Sequence, residues 1–556
     1  MATLDDIRHI ARQRFGYDHL HTAQEDAILS VLGGHDTLSV LPTGFGKSAI
    51  YQIAGALLGG VTLVVSPLIA LQLDQMQSML AQDLGAVAQL NSTQSASERR
   101  ETLERLATGA LDYLLLAPEQ FGNDEVMAAA REARVTLFVV DEAHCISEWG
   151  HDFRPEYLRL GAIVEALGHP TLLALTATAA PPVREEVIDR LGMCDVHTMA
   201  HGFDRPNIWL GVETFHDEAT KTQALLDHTL EAEKPGIVYV ATRHAAETLA
   251  QALTERGLRA EAYHAGMRGD DREHAQQAFM SDRAEVIVAT SAFGMGVDKP
   301  NVRFVFHHSI SDSVDAYYQE IGRAGRDGES ARAILFYRPE DLNLRRFFAG
   351  AGQVDEEEIA RVALALEAQA GEGATPVDPA ELREAVGLSA TKLHTALTRL
   401  EDVGLVNALP SGVILADGEL AAPGAHTADD LGELQEAVTE AAEAQQSRKQ
   451  FERSRIEMMR GYAEVYDCRR RYLLNYFGEA YEHSCDFCDN CQAGHGAAEL
   501  GLRPFPLNSR VTHPAWGAGL VMRYEGDKIV ALFDEVGYKT LALDLVLEKR
   551  LLTPAQ

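Results

Sequence analysis

The chain has 556 residues, 46% of them hydrophobic, and a formal net charge of −34. That length exceeds one hydrophobic core and predicts roughly three to five domains. Its longest apolar stretch, 59–73, is broken by Ser66 and Pro67 and argues against a membrane span, and its start, Met1 to Arg8, has no basic, apolar leader, so a cytoplasmic location is expected.

Residues 1–200 alternate short β-branched runs with helical patterns, the signature of a parallel α/β sheet. Strands are predicted at 62–66, 113–117, 137–140 and 172–176. Early in this block Thr43-Gly44-Phe45-Gly46-Lys47-Ser48 follows an apolar segment. Backbone N–H groups of such a turn, leading into a helix N-terminus, cradle phosphates, while the lysine and serine reach the terminal phosphate and Mg2+. The strict phosphate-loop pattern has a glycine where this chain has Leu41, so the turn alone also reads as a plain strand-to-helix connection.

Further on, Asp141-Glu142-Ala143-His144 ends the apolar run 135–140. A strand that delivers adjacent acids to its exposed end suits Mg2+ binding through water at Asp141 and activation of the attacking water by Glu142 as general base. The loop then presents Trp149, Phe153 and Arg154, which can stack on bases and grip a phosphate; core packing of Trp149 is the plain alternative.

A connector at 201–208 precedes a second α/β block to about 345, with strands predicted at 236–240, 286–289 and 333–336. Residues 356–416 read as a winged helix, with Ser389 as N-cap of its recognition helix. Lys392, His394 and Arg399 on that helix are candidates for phosphate contact, although a docking role fits a helix that is not very basic. Residues 371–376 and 420–430 read as linkers.

The charge of −34 opposes DNA binding on average, because a DNA ligand must find local cations. The stretch 448–471 is the exception, with eight Lys/Arg against four Asp/Glu. It runs into Cys468, Cys485, Cys488 and Cys491, a spacing of four thiolates that suits a closed, structural tetrahedral Zn2+ site. Cys145 and Cys194 read as plain buried or half-buried residues. Short alternating strands in 505–556 predict a small β-barrel.

Taken in order, these motifs resemble the RecQ family of superfamily 2 DNA helicases. The loop Pro42–Ser48, the segments 66–71 and 117–119, the long tryptophan-containing stretch 141–155, and 175–179 fall in family order, followed by 263–266, 289–300 and 318–328. The resemblance implies two tandem RecA-like parallel-sheet domains, 1–200 and 201–347, and a helical four-cysteine zinc module at 440–497, while the residue patterns themselves place a winged helix at 350–425 before that module and a β-barrel at 505–556 after it. It implies ATP hydrolysis with Mg2+ held by Ser48 and Asp141, and 3′ to 5′ unwinding of duplex DNA from single-stranded tails in repair and recombination. Arg323 and Arg326 would reach the nucleotide from the second block as arginine fingers, beside Gln319, so that hydrolysis depends on closure of the cleft. His144, Trp149, Phe153 and Arg154 would couple single-strand contact to turnover.

Three departures stand out. At the adenine site Tyr17 and Gln24 remain, but His21 occupies the position of the expected arginine. The winged helix precedes the zinc module instead of following it, and its tip, 408–411, has no aromatic residue to part a base pair. The tail is similar to the Tudor-like module of UvrD-type bacterial helicases, which implies a protein partner such as RNA polymerase; a barrel that only caps the zinc module is the alternative. A nucleoid-associated monomer is expected. Two other readings fit the same sequence: a DNA-stimulated translocase that remodels protein–DNA complexes with little unwinding, and a non-enzymatic DNA-binding scaffold.

Overall fold

Aliphatic and β-branched runs, bounded by glycine, proline and polar turns, build two all-parallel sheets. The structure is a computed structural model that describes residues 3–555 apart from 68, 83, 92–93, 148–152, 201, 295–296, 351–353, 370–376, 410–411, 416–427, 496–502 and 535. The first sheet comprises β1 (Thr37–Val40), β2 (Val61–Val65), β3 (Val87–Leu90), β4 (Tyr113–Leu116), β5 (Val135–Val140), β6 (Thr171–Thr176) and β7 (His197–Ala200) in the order β3-β4-β2-β5-β6-β1-β7. Strands β1, β2 and β4 are buried throughout, as parallel strands covered on both faces must be.

The register carries the functional consequence. Val40 pairs with Thr176 and Val140 with Ala174, so the chain leaves β1, β6 and β5 at one edge, side by side. The second sheet comprises β8 (Ile208–Thr214), β9 (Gly236–Tyr239), β10 (Ala260–Tyr263), β11 (Val286–Ala289), β12 (Phe304–His307) and β13 (Ala331–Tyr337) in the order β10-β11-β9-β12-β13-β8, again all parallel. Helix Val314–Ile321 connects β12 to β13 and is capped by Ser313, whose hydroxyl accepts from Ala316 N–H.

Residues 1–342, 457–532 and 540–556 form one compact unit, and 343–456 with 533–539 form a second. In the second unit, helices Glu356–Gln369, Pro379–Val386 and Ala390–Asp402 are followed by the antiparallel pair β14 (Val406–Leu409) and β15 (Gly412–Leu415). Ile359, Val362, Leu366, Leu382, Ala396 and Leu400 are part of its own core, and Ser389 caps the third helix by accepting from Lys392 N–H at 3.2 Å. Part of the expected wing tip, 410–411, and the linker 371–376 lie outside the described residues.

Helix Ala428–Glu464 leads to helix Arg469–Tyr476 and the short helix Asp489–Gln492 of the cysteine-rich segment. The tail is a five-stranded sheet of β16 (Arg510–His513), β17 (Gly517–Glu525), β18 (Lys528–Phe533), β19 (Gly537–Ala542) and β20 (Thr553–Pro554), in the order β19-β18-β17-β16-β20. No helix among the described residues is long and apolar enough to cross a membrane.

Candidate nucleotide site and zinc module

The turn after β1 is shaped by two glycines in the left-handed region, Gly44 at φ +88° and Gly46 at φ +65°. A Cβ at Gly46 would lie 3.0 Å from Gln24 Nε2, so the loop closes on a side chain that only glycine admits. Gln24 is 5% exposed; its Nε2 donates to Phe45 O at 2.8 Å and Gly46 O at 3.0 Å, and its Oε1 accepts from His21 N–H at 2.8 Å. One end of this amide is therefore spent on the phosphate loop and the other on the start of its own helix, and adenine recognition by Gln24 requires trading those bonds. Tyr17 is half-buried and stacked on Phe15, with centroids 6.3 Å apart, while the His21 ring lies 4.6 Å from Phe45.

Lys47 opens the following helix, Lys47–Leu58, and its Nζ donates to Leu41 O at 3.2 Å. Burial lowers its pKa from the usual lysine value, opposed by the charges of Glu142 and Asp141. Ser48 and Thr43 are half-buried beside it. At the end of β5, Asp141 is 6% exposed and accepts from Gln75 Nε2 at 3.3 Å and from Glu142 N–H at 3.0 Å. Its pKa is pushed up to about 6, first by burial and then by Glu142, with Lys47 pulling the other way. A carboxylate made costly by burial, facing a lysine and a glycine cradle, fits a divalent cation with phosphate.

Glu142 holds a left-handed backbone at φ +49°, rare for a residue with a side chain. Its Oε2 lies 3.4 Å from His144 Nδ1, which also meets Thr176 Oγ1 at 2.8 Å. Thr176 Oγ1 accepts from Thr178 N–H at 3.3 Å, and Gln319 Nε2 from the second sheet donates to Thr178 Oγ1 at 3.3 Å. A continuous polar path thus links the acid pair to helix Val314–Ile321. His144 is 1% exposed, so its place is within this path and not on a nucleic-acid strand.

Two arginines follow that helix. The aliphatic stem of Arg326 lies over the phosphate loop, because a Cβ at Gly44 would sit 3.3 Å from its Cγ and Cδ. Its Nη1 donates to Asp298 Oδ1 at 2.5 Å and to Val297 O at 3.2 Å. Arg323 is 6% exposed and packs against Gly294, 3.3 Å from a Cβ built there. Arg205 clamps the arginine-bearing turn by donating to Gly322 O, Ala324 O and Gly325 O at 3.0, 2.7 and 3.1 Å.

The Sγ atoms of Cys468, Cys485, Cys488 and Cys491 all lie within 4.8 Å of one another, whereas Cys145 is buried and Cys194 is exposed elsewhere. Hydrogen bonds from Cys485 and Cys488 push the Cys468 thiol down to about 4, and Cys485 is pushed up by the same contacts. Four sulfurs gathered this closely are a donor set that fits a closed tetrahedral Zn2+ site.

Sequence models of three domains match the chain: DEAD/DEAH box helicase over 21–187, helicase conserved C-terminal domain over 220–328, and RecQ zinc-binding over 428–492. The probable ATP-dependent DNA helicase RecS of Bacillus subtilis (strain 168) is 42% identical over 356 residues, which span 64% of this chain and 71% of the relative. The chain belongs to the RecQ family of ATP-dependent DNA helicases. The ATP-dependent DNA helicase RecQ of Pasteurella multocida (strain Pm70) is 42% identical over 337 residues, 60% of this chain and 52% of that protein. RecQ of Bacillus subtilis (strain 168) is 38% identical over 352 residues, 62% and 58% respectively. The match thus spans little more than half the length of these RecQ relatives.

Within this RecQ-type chain, several sequence expectations about DNA contact need revision. Trp149 lies outside the described residues. Phe153 and Arg154 are half-buried, and Arg154 Nη1 donates to Pro67 O at 2.9 Å, tying its loop to the segment after β2. Arg399 is only 3% exposed, so it cannot offer its charge to a phosphate, and Lys392 Nζ is paired with Glu358 Oε1 at 2.5 Å.

The basic stretch 448–471 is likewise less available than its composition suggests. Arg469, Arg470 and Arg471 are 4–6% exposed and pair with Asp489, Asp204 and Asp467. Sequence reading missed Gln75, Arg205 and Tyr157, whose hydroxyl donates to Asp141 O at 3.1 Å; a lone glutamine, arginine or tyrosine outside a motif gives no signal. Asp36, His169 and Cys194 also bring ligand atoms together at the opposite edge of the first sheet. There the Asp36 carboxylate already accepts from Leu172 N–H and Cys194 N–H at 2.9 and 2.7 Å, which makes it a loop clip.

Proposed function

We propose that the chain is an ATP- and Mg2+-dependent helicase that moves 3′ to 5′ on single-stranded DNA and opens duplexes from single-stranded tails, in DNA repair and recombination. The observation that carries this reading is the position of Arg326 over Gly44, an arginine from one sheet on the phosphate loop of the other. In such a site the phosphates lie on the N–H groups of Gly44 to Ser48, with Lys47 as the cationic partner. Ser48 and Asp141 are the residues to hold Mg2+, which neutralises phosphate charge when bound. Glu142 takes the proton of the attacking water, and Arg326, with Arg323 behind it, stabilises the charge that develops. Tyr17 stacks on the base, and Gln24 sets the loop. The path from Glu142 through His144, Thr176 and Thr178 to Gln319 supports coupling of hydrolysis to movement between the sheets.

The polarity test is unwinding of a 3′-tailed duplex beside a 5′-tailed control, with Glu142→Gln as the inactive reference. Unwinding of the 3′-tailed substrate alone, lost in the variant, is expected. A second reading, a DNA-stimulated translocase with little unwinding, is favoured by the buried Arg399 and the paired Lys392, the two cations expected to meet phosphate from the winged helix. DNA-stimulated hydrolysis without strand separation would select it. The zinc module serves as a structural element, and the tail sheet as a dock for a protein partner such as RNA polymerase, which fits a nucleoid-associated monomer in the cytoplasm.

A further inference from the structure

Helix Val314–Ile321, which leads into Arg323 and Arg326, presents three buried side chains to the cysteine-rich module. Tyr476 donates its hydroxyl to Asp315 Oδ2 at 2.5 Å. Tyr317 and Tyr462 meet with hydroxyls 3.3 Å apart and ring centroids 4.9 Å apart. The Tyr318 ring lies 4.7 Å from Phe477. All six side chains are at most 4% exposed, so no water can replace a contact that is lost.

The same module reaches the first sheet. Arg184, on helix Pro181–Leu191, donates to Phe477 O at 2.5 Å, and its guanidinium lies 5.7 Å from the Phe203 ring. Phe203 stacks on Phe477 at 5.0 Å and 8°, and its N–H donates to Glu479 Oε2 at 2.9 Å. Gly478 has φ +77°, and a Cβ there would come within 3.0 Å of Pro181 Cγ, so only glycine lets the segment lie this close to the helix. Helix Pro181–Leu191 begins just after Thr178, the partner of Gln319. One short segment, 476–479, therefore grips elements of both sheets near the point where each delivers residues to the nucleotide site.

We propose that segment 476–479 is a brace that sets the approach of Arg326 to the phosphate loop, with Tyr476 and Arg184 as positioning residues that never touch the nucleotide. The inference rests on the role given to Arg326 above. A displaced helix Val314–Ile321 carries the arginine with it, and a misplacement of about 1 Å at a reacting centre can cost about a hundredfold in rate.

The test measures DNA-stimulated ATP hydrolysis by the full chain carrying Tyr476→Phe, which removes one hydroxyl and keeps the ring. The brace predicts a fall in kcat of about tenfold with KM for ATP held within about twofold, normalised to folded protein. Arg184→Lys keeps the donor and retains more activity than Arg184→Met. Arg326→Ala is the reference, and Tyr476→Phe added to it causes no further loss, because residues that act through one group are not additive. Wild-type kcat in Tyr476→Phe beside an impaired Arg326→Ala overturns the brace alone, as does a full tenfold loss in the Arg326→Ala background. Unimpaired hydrolysis in both single variants overturns the arginine assignment and the brace together. Should Tyr476→Phe fold poorly, Arg184→Met, which loses the donor to Phe477 O, is read by the same criteria.

Discussion

The two loop glycines make separable predictions about turnover and affinity. Gly44 and Gly46 both hold positive φ, so alanine at either costs about 1–2 kcal/mol of backbone strain, which affects the free and bound enzyme alike. The side-chain neighbours differ. At Gly44 the new Cβ meets Arg326 Cγ and Cδ at 3.3 Å, a contact relieved when the arginine yields by a few tenths of an ångström. If misplacement by 1 Å costs about a hundredfold, a shift near ~0.3 Å costs roughly fourfold, and the loss falls on kcat. At Gly46 the Cβ presses Gln24 Nε2 at 3.0 Å and disturbs its bonds to Phe45 O and Gly46 O. Loss of two such bonds, at about 1 kcal/mol each, loosens the loop before the nucleotide arrives and raises KM for ATP by roughly tenfold or more. Steady-state ATP hydrolysis with saturating single-stranded DNA measures both parameters. The reasoning fails if Gly44→Ala raises KM without touching kcat, or if the two variants cannot be told apart.

Further outcomes follow from other parts of the molecule. Cys488→Ser should lower bound zinc from about one per chain to well below one, as read by metal analysis of the purified protein. Lys392→Ala should leave the salt slope of DNA binding unchanged, because the ammonium is paired with Glu358; loss of a phosphate contact would instead lower it by about one unit. Arg399→Ala should instead lower stability by roughly 1–3 kcal/mol, since the guanidinium is buried; a steep loss of DNA affinity with no change in melting contradicts this. His308 is held at about 4, first by burial and then by Lys221, against an ordinary 6.5. Its folded pKa is depressed, so the stability it contributes is present above 6.5 and drains as pH falls toward 4, by up to roughly 3 kcal/mol. Thermal melting between pH 7 and 5 should show this loss, and His308→Gln should flatten it.

Much of the nucleotide site was legible because its chemistry is local in sequence. A glycine turn before a helix, and acids at the end of an apolar strand, declare themselves through backbone rules, and the parallel register then brings β1, β5 and β6 to one edge. The four cysteines were legible for the same reason, since ligand spacing is written in the chain. Charge was not. Arg469, Arg470 and Arg471 succeed one another about 100° apart around a helix, so they point to different neighbours, and each finds an acid. Arg399 lies two turns beyond Lys392 on nearly the same face of one helix, yet it is buried while Lys392 is only half-buried and paired, a difference set by what packs over each end. Composition counts cations and cannot tell a buried one from an exposed one. Gln24 was assigned to a base edge, and its amide instead bonds the loop that follows the next strand, a contact set by tertiary packing.

The central claim is that one ATP site is completed by an arginine from the second sheet. Its most direct test is single-turnover ATP hydrolysis by Arg326→Ala in the presence of single-stranded DNA, with nucleotide affinity measured in parallel. The account predicts hydrolysis slowed by about a thousandfold or more while ATP affinity changes by less than about threefold. Hydrolysis within about tenfold of the unmodified chain would contradict it.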